Sequence, residues 1–160
     1  MKIHRLERTQ ILPLTLDEAW NFFSTPLNLN EITPADMSFE ILSDDLEGTK
    51  MYAGMIINYV VKPIANIPLR WTTEIKHVKE KAYFADEQRF GPYAFWHHKH
   101  FFEEHPEGIK MTDIVDYGLP LGPLGDIAHA IFVKKKLAYI FDFRYQALEK
   151  HFPKKQAVNA

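Results

Sequence analysis

Between residues 37 and 119 six segments follow one another with only a few turn-forming residues between them. They are "MSFEILSD", "MYAGMIINYVV", "LRWTTEIKHV", "AYFADEQRF", "FWHHKHFFEE" and "IKMTDIVDYGL", all rich in β-branched and aromatic side chains. The separators are Asp44-Asp45, Glu47-Gly48, Pro63, Gly91-Pro92 and Pro106-Glu107-Gly108. Such links are too short for the crossovers that parallel strands need, so the run reads as an antiparallel meander.

The flanks add one strand and three helical stretches. Residues 3–12 read as a strand closed by Pro13. "LTLDEAWNFFS" then opens a helix, with Thr15 as N-cap and Glu18 completing a capping box. "TPLNLNEI" gives a second short helix, with Thr25 as cap and Pro26 in the first position, stopped by Thr33-Pro34. After the meander, Ile127, Ile131, Ala138, Phe141, Tyr145, Leu148 and Phe152 recur at three- and four-residue steps. That spacing predicts one amphipathic helix of roughly seven turns. The expected fold class is α+β: a seven-stranded curved antiparallel sheet wrapped around a long C-terminal helix, with two short helices after the first strand. Residues 1–152 make a single domain, large enough to bury a core, and 153–160 a flexible tail.

Four of the eight histidines fall within "FWHHKHFFEEH", residues 95–105. On a strand they sort by parity. Trp96, His98, His100 and Phe102 share one face; Phe95, His97, Lys99 and Phe101 share the other. Lys99 marks the solvent side, so the Trp96 face turns inward. A turn at 91–93 pairs Phe90 with Trp96, which sets Gln88 against His98, Asp86 against His100 and Phe84 against Phe102. The turn at 106–108 pairs His100 with Asp113, His98 with Val115 and Trp96 with Tyr117. An aromatic wall of Trp96, Tyr117 and Phe102 then surrounds a polar knot of Asp86, Gln88, His98, His100 and Asp113.

Three readings of that knot stand open. Buried His and Asp must pair, which makes a structural hydrogen-bond network. Two histidines at i and i+2 beside a carboxylate also have metal-ligand chemistry, but no established ligand spacing is present and His97 points away, so no metal is expected. The third reading is a polar anchor at the bottom of an apolar cavity, orienting a ligand or moving a proton through a His of tunable pKa. Trp71, Thr73 and Ile75 form another inward face, as do Met55, Ile57 and Tyr59. Arg144, beside the helical stripe, is expected to pair with an Asp or Glu or with an acidic ligand group. Gly122, Pro123 and Gly125 let the helix entry bend, and 48–54 is a second gate.

Composition narrows the partners. The aromatic share of 14% suits a cavity wall as well as a core. A net charge of -2 leaves no footprint for nucleic acid, and "KKK" at 134–136 reads as a solvated helix face. Without Cys there is no disulfide framework and no thiolate chemistry. The polar N-terminus lacks the apolar run of a signal peptide, and no stretch has the length of a transmembrane helix, so a cytoplasmic location is expected. The glycines near 122–125 do not match a phosphate-binding loop, and no cofactor is expected.

Asp86 and Gln88, Gly91-Pro92, Trp96, His98, His100 and Phe102, Thr112-Asp113, Val115, Tyr117 and Pro120-Leu121-Gly122 form the pattern D-x-Q, G-P, W-x-H-x-H-x-F, T-D-x-V-x-Y, P-L-G. In this run the chain resembles the SRPBCC group of START-like, helix-grip (Bet v-like) proteins, and in particular their ligand-binding, cyclase/dehydrase-like members. Trp71 also fits. The resemblance implies a deep cavity between curved sheet and C-terminal helix, used by relatives for sterols, lipids, quinones, plant hormones or polyketides. It implies a small hydrophobic ligand held near Trp71, Asp86, Gln88, Trp96, His98, His100, Asp113 and Tyr117. The alternative is a cyclase or dehydratase using the His/Asp cluster as general acid and base.

Overall fold

Alternation between core and solvent is clearest along the last strand, where Ile109, Met111, Asp113, Val115 and Tyr117 are buried and the residues between them are half-exposed. The computed structural model describes residues 1–62 and 67–154, so the turn expected at Pro63 and most of the expected tail lie outside the described residues. The first strand, β1 (His4–Leu12), leads into α1 (Leu16–Phe23). The Thr15 side chain accepts from the Glu18 N–H while Glu18 accepts from the Thr15 N–H, the reciprocal cap expected. The second short helix is a 3-10 helix, Pro26–Ile32, and a further 3-10 turn covers Ala35–Met37. Thr25 does not cap it; its hydroxyl donates to the Asn21 carbonyl instead.

The meander follows as β2 (Glu40–Ile41), β3 (Ile56–Val61), β4 (Leu69–Lys79), β5 (Tyr83–Phe90), β6 (Phe95–His105) and β7 (Gly108–Gly118). The strands form one seven-stranded antiparallel sheet in the order β1-β7-β6-β5-β4-β3-β2. Register shifts at Thr72/Thr73 and Ile75/His77 interrupt the β4–β5 ladder, and such irregularities bend a strand.

The two registers around β6 differ in outcome. Across β6–β7, Trp96 faces Tyr117, His98 faces Val115 and His100 faces Asp113, as expected. Across β5–β6 the pairing is displaced by two residues: Asp86 faces His98 and Phe84 faces His100. The connection at Gly91–Ala94 causes this. The Gln88 side chain folds back onto it, donating to the Tyr93 carbonyl and accepting from the Tyr93 N–H, so the ladder begins only at Glu87 and His97. Gly91 has φ +155°, and a Cβ there would overlap the Gln88 amide. A slip of two preserves parity, so every side chain keeps its face.

The C-terminal helix runs through α2 (Pro123–Ala128), a π-helical segment (His129–Val133) and α3 (Lys134–His151). The π segment carries one residue more per turn than the α ladder and rotates the chain before it relative to the chain after it. The expected stripe therefore breaks. Phe141 and Leu148 are buried, but Ile127, Ile131 and Tyr145 are exposed, and Leu137 takes an inward place instead. Among the described residues no helix is long and apolar enough to cross a membrane.

Buried apolar side chains fall into four groups rather than one mass. The largest joins Leu12, Trp20, Phe23, Phe84, Phe102, Ile109 and Leu148 at one end of the sheet, with Trp20 edge-on to both Phe84 and Phe102. Leu148 ties α3 to this group with no exposed surface. Leu148→Ala is expected to lower unfolding free energy by about 3 kcal/mol in a urea titration. A change under about 1 kcal/mol would mean the helix is not anchored there.

Candidate functional site

The inner faces of the strands and the sheet-facing side of α3 enclose a cavity of about 250 Å³. Tyr59, Trp71, Tyr93 and Trp96 line it from the sheet and its loops, and Leu137, Ile140 and Phe141 from the helix. Trp71 and Trp96 meet edge to face with ring centroids 5.1 Å apart, and Tyr93 packs against both. Trp71 Nε1 donates to Thr73 Oγ1 at 3.0 Å, and the Tyr59 hydroxyl lies 3.0 Å from the same oxygen. The indole N–H is thus used within the wall, and the ring is what Trp71 offers a ligand. Burial pushes the Tyr59 and Tyr93 hydroxyls up, so both stay neutral at physiological pH.

One patch of this lining is polar. β6 supplies His98 and His100, β7 Asp113, β5 Asp86 and α3 Arg144. His98 Nε2 lies 3.1 Å and His100 Nδ1 2.7 Å from Asp113 Oδ1. A carboxylate only accepts, so each ring carries a proton on the nitrogen facing Asp113. The opposite nitrogens turn to Asp86, with His100 Nε2 at 3.3 Å and His98 Nδ1 at 3.8 Å from Oδ2. Phe84 stacks on His100 with centroids 4.2 Å apart.

Burial and the charge of His100 lower His98 to about 4, which leaves it neutral at pH 7. Burial acts on His100 in the same sense, but the Asp113 and Asp86 carboxylates outweigh it and raise that ring. Burial alone would raise Asp113; the two imidazoles instead hold it far below its ordinary value. The pair divides its roles, one ring neutral and the other favouring the cation. Asp86, His98 and His100 each present a ligand-type atom, and no two of these atoms are further apart than 4.8 Å.

Arg144 reaches the same patch from α3 with its side chain 11% exposed. Its Nη1 stands 4.0 Å from Asp113 Oδ2, the outer limit of the ion pair expected for it, and the guanidinium lies 4.9 Å above the Phe141 ring. Its Nε is buried and has no hydrogen-bond partner among the described residues. An unsatisfied donor on a charged group is unfavourable, and this one belongs to a side chain that lines the cavity.

Of the residues singled out in the sequence, Trp71, Asp86, Trp96, His98, His100 and Asp113 line the cavity together. Gln88 and Tyr117 do not. Gln88 spends both ends of its amide on the Tyr93 main chain, and so positions Tyr93 instead of meeting a ligand. Tyr117 packs behind Trp96 and Tyr93, and its hydroxyl lies 2.9 Å from His129 Nε2. Phe102 belongs to the end core, not to the cavity wall. Tyr93, Leu137 and Ile140 were missed. Tyr93 sits in a loop where periodicity carries no signal, and the π segment hid the helical pair. The 48–54 stretch is fixed by Met51 N–H to the Ser24 carbonyl and Gly54 N–H to the Ile75 carbonyl, and Met51 reaches the cavity.

Asp113→Asn removes the charge that both imidazoles face. It is expected to lower unfolding free energy by about 3 kcal/mol at pH 7. A carboxyl held below its ordinary value near 3.8 stabilises the fold above that pH and loses the contribution as pH falls through it. The gap between wild type and variant in urea titrations should therefore be full at pH 7 and shrink below about pH 4. A gap that does not change over that range would contradict the ionised Asp113.

No known family model matches the chain, and no curated protein matches it. Solved structures do. TTHA0849 from Thermus thermophilus superposes with a TM-score of 0.70 at 15% identity, covering 94% of this chain and 97% of that one. The major latex-like protein 151 of Panax ginseng gives 0.67 at 13%, covering 94% and 98%. Ara h 8.0201 gives 0.60 at 18%, covering 93% and 99%. These likenesses, with the sheet order and the C-terminal helix, show that the chain has the helix-grip fold.

Proposed function

We propose that the protein binds a small, mainly apolar molecule with one acidic end in the cavity between sheet and helix. The observation that carries this reading is the Arg144 Nε–H, buried without a partner among the described residues on a side chain that lines a mainly apolar cavity. A ligand carboxylate or other oxygen acceptor placed there would satisfy that donor, and such charge-assisted bonds are the stronger kind. The rings of Trp71, Tyr93 and Trp96 would hold the apolar body by area and stacking. A volume of about 250 Å³ lies just under the usual range of small-molecule sites, about 300–1,000 Å³. That favours a compact aromatic, quinone or polyketide-like body over a two-chain lipid.

Titration calorimetry with 1-naphthoic acid and with naphthalene tests the reading. Arg144→Met should weaken binding of the acid by about ten- to a hundredfold, the equivalent of one charged hydrogen bond, and leave naphthalene nearly unchanged. Equal losses for both, or no saturable binding by either, would overturn it. A second reading is favoured by His98, which is neutral at pH 7 with its proton fixed toward Asp113. That is the form of a general base, as in a cyclase or dehydratase acting on a polyketide-like chain. If His98→Ala and His100→Ala leave turnover of every accepted substrate unchanged, this second reading fails.

A further inference from the structure

We infer that Asp86, His98 and His100 form a binding site for one divalent transition-metal ion at the polar end of the cavity. The inference concerns the chain's own side chains and holds whatever apolar body the cavity takes. Its basis is the convergence of three ligand-type atoms, none further than 4.8 Å from another. Asp113 lies against the Nε2 of His98 and the Nδ1 of His100, and it fixes the proton of each ring on that side. The opposite nitrogens, His98 Nδ1 and His100 Nε2, both turn toward Asp86 Oδ2, and His100 Nε2 hydrogen-bonds to it at 3.3 Å. Once the His100 Nε2 proton is displaced, three electron-pair donors face one another, an arrangement that a metal cation can bridge.

The charges present also leave room for a cation. Asp86 and Asp113 bring two negative charges, and Arg144 brings one positive charge 4.0 Å from Asp113. One negative charge is left in a nearly buried patch, where an unbalanced charge is strongly unfavourable. A proton on His100 Nε2 balances it in the empty protein, and a metal ion replaces that proton when bound.

Two of the spacings are close to those of metal ligands. For ligand bonds of ~2.1 Å, tetrahedral neighbours stand about 3.4 Å apart. Asp86 Oδ2 lies 3.3 Å and 3.8 Å from the two imidazole nitrogens. Asp113, on the far nitrogen of both rings, stands where an orienting carboxylate supports metal-bound histidines. Two imidazoles and one carboxylate suit Zn²⁺, Co²⁺ or Fe²⁺ better than Mg²⁺ or Ca²⁺, which prefer oxygen ligands. Further coordination positions would open to the cavity. The ion would leave a net positive charge beside Arg144, to which an acidic ligand end is complementary.

The experiment is a titration of the wild-type protein, free of organic ligand, with Co²⁺. One equivalent should bind at micromolar concentration and develop the visible d–d bands of a four- or five-coordinate ion. The imidazole protons of His98 and His100 should show the large contact shifts of bound ligands, and those of His97 and His129 only small through-space ones. His98→Ala and His100→Ala should each weaken binding at least a hundredfold. His97→Ala, on the outer face of the same strand, should bind as wild type does. No binding at ten micromolar, or contact shifts at His97 in place of the inner pair, would overturn the inference. The wild-type spectra stand even if a variant fails to fold. Because no apolar ligand is present, a negative result leaves the naphthoic acid test unaffected.

Discussion

The rest of the site depends on a carboxylate that has almost no access to water. Asp113 is 2% exposed in the middle of β7, where an isolated charge would be strongly unfavourable. It is tolerated because two imidazoles from the adjacent strand meet a single oxygen, and a guanidinium from the helix stands near the other. The cross-strand pairing of His100 with Asp113 makes that meeting possible. Sheet register and site chemistry are therefore one constraint. A shift of β6 on β7 by one residue would put both histidines outside and leave the carboxylate buried without compensation.

That register could be read from the sequence because the connection is tight. His105 pairs with Gly108, and Gly108 has φ +131°, so Pro106-Glu107 leaves the hairpin little choice of alignment. The β5–β6 connection is longer, and its geometry is set by the Gln88 amide gripping the Tyr93 main chain, a contact with no local pattern. The sequence reading missed the alignment there by two residues but kept the faces, so Asp86, His98 and His100 still converge. Gln88 and Tyr117 show the limit of parity. It tells which side of a sheet a residue faces, not whether that point is the hollow or its support.

The helix was legible in extent and misleading in phase. Ile127 and Ile131 repeat at α-helical spacing with Ala138 and Phe141, yet Ile131 lies inside the π segment from His129 to Val133, which parts Ile127 from the later pair. Nothing in "HAIFV" announces an extra residue in the hydrogen-bond ladder. The effect is that Val133, Leu137, Ile140 and Arg144 face the cavity while Leu124, Ile127 and Ile131 lie at the surface. The aromatic surplus noted in the composition is shared between two tasks. Trp20 and Phe102 belong to a solid end, Trp71, Tyr93 and Trp96 surround a hollow one, and Phe23 and Phe84 serve both.

The π segment also separates two parts of the molecule that would otherwise change together. A helix that accommodates an insertion by widening one turn can lose or gain a residue there without breaking. Such a change would turn Leu124 and Ile127 relative to α3, while Leu148 still fastens α3 to the end core. The helix entry and the chemistry of the cavity floor can then diverge independently across descendants of one ancestral chain. The strands carrying His98, His100 and Asp113 would hold their alignment while the entry to the helix is reshaped one residue at a time.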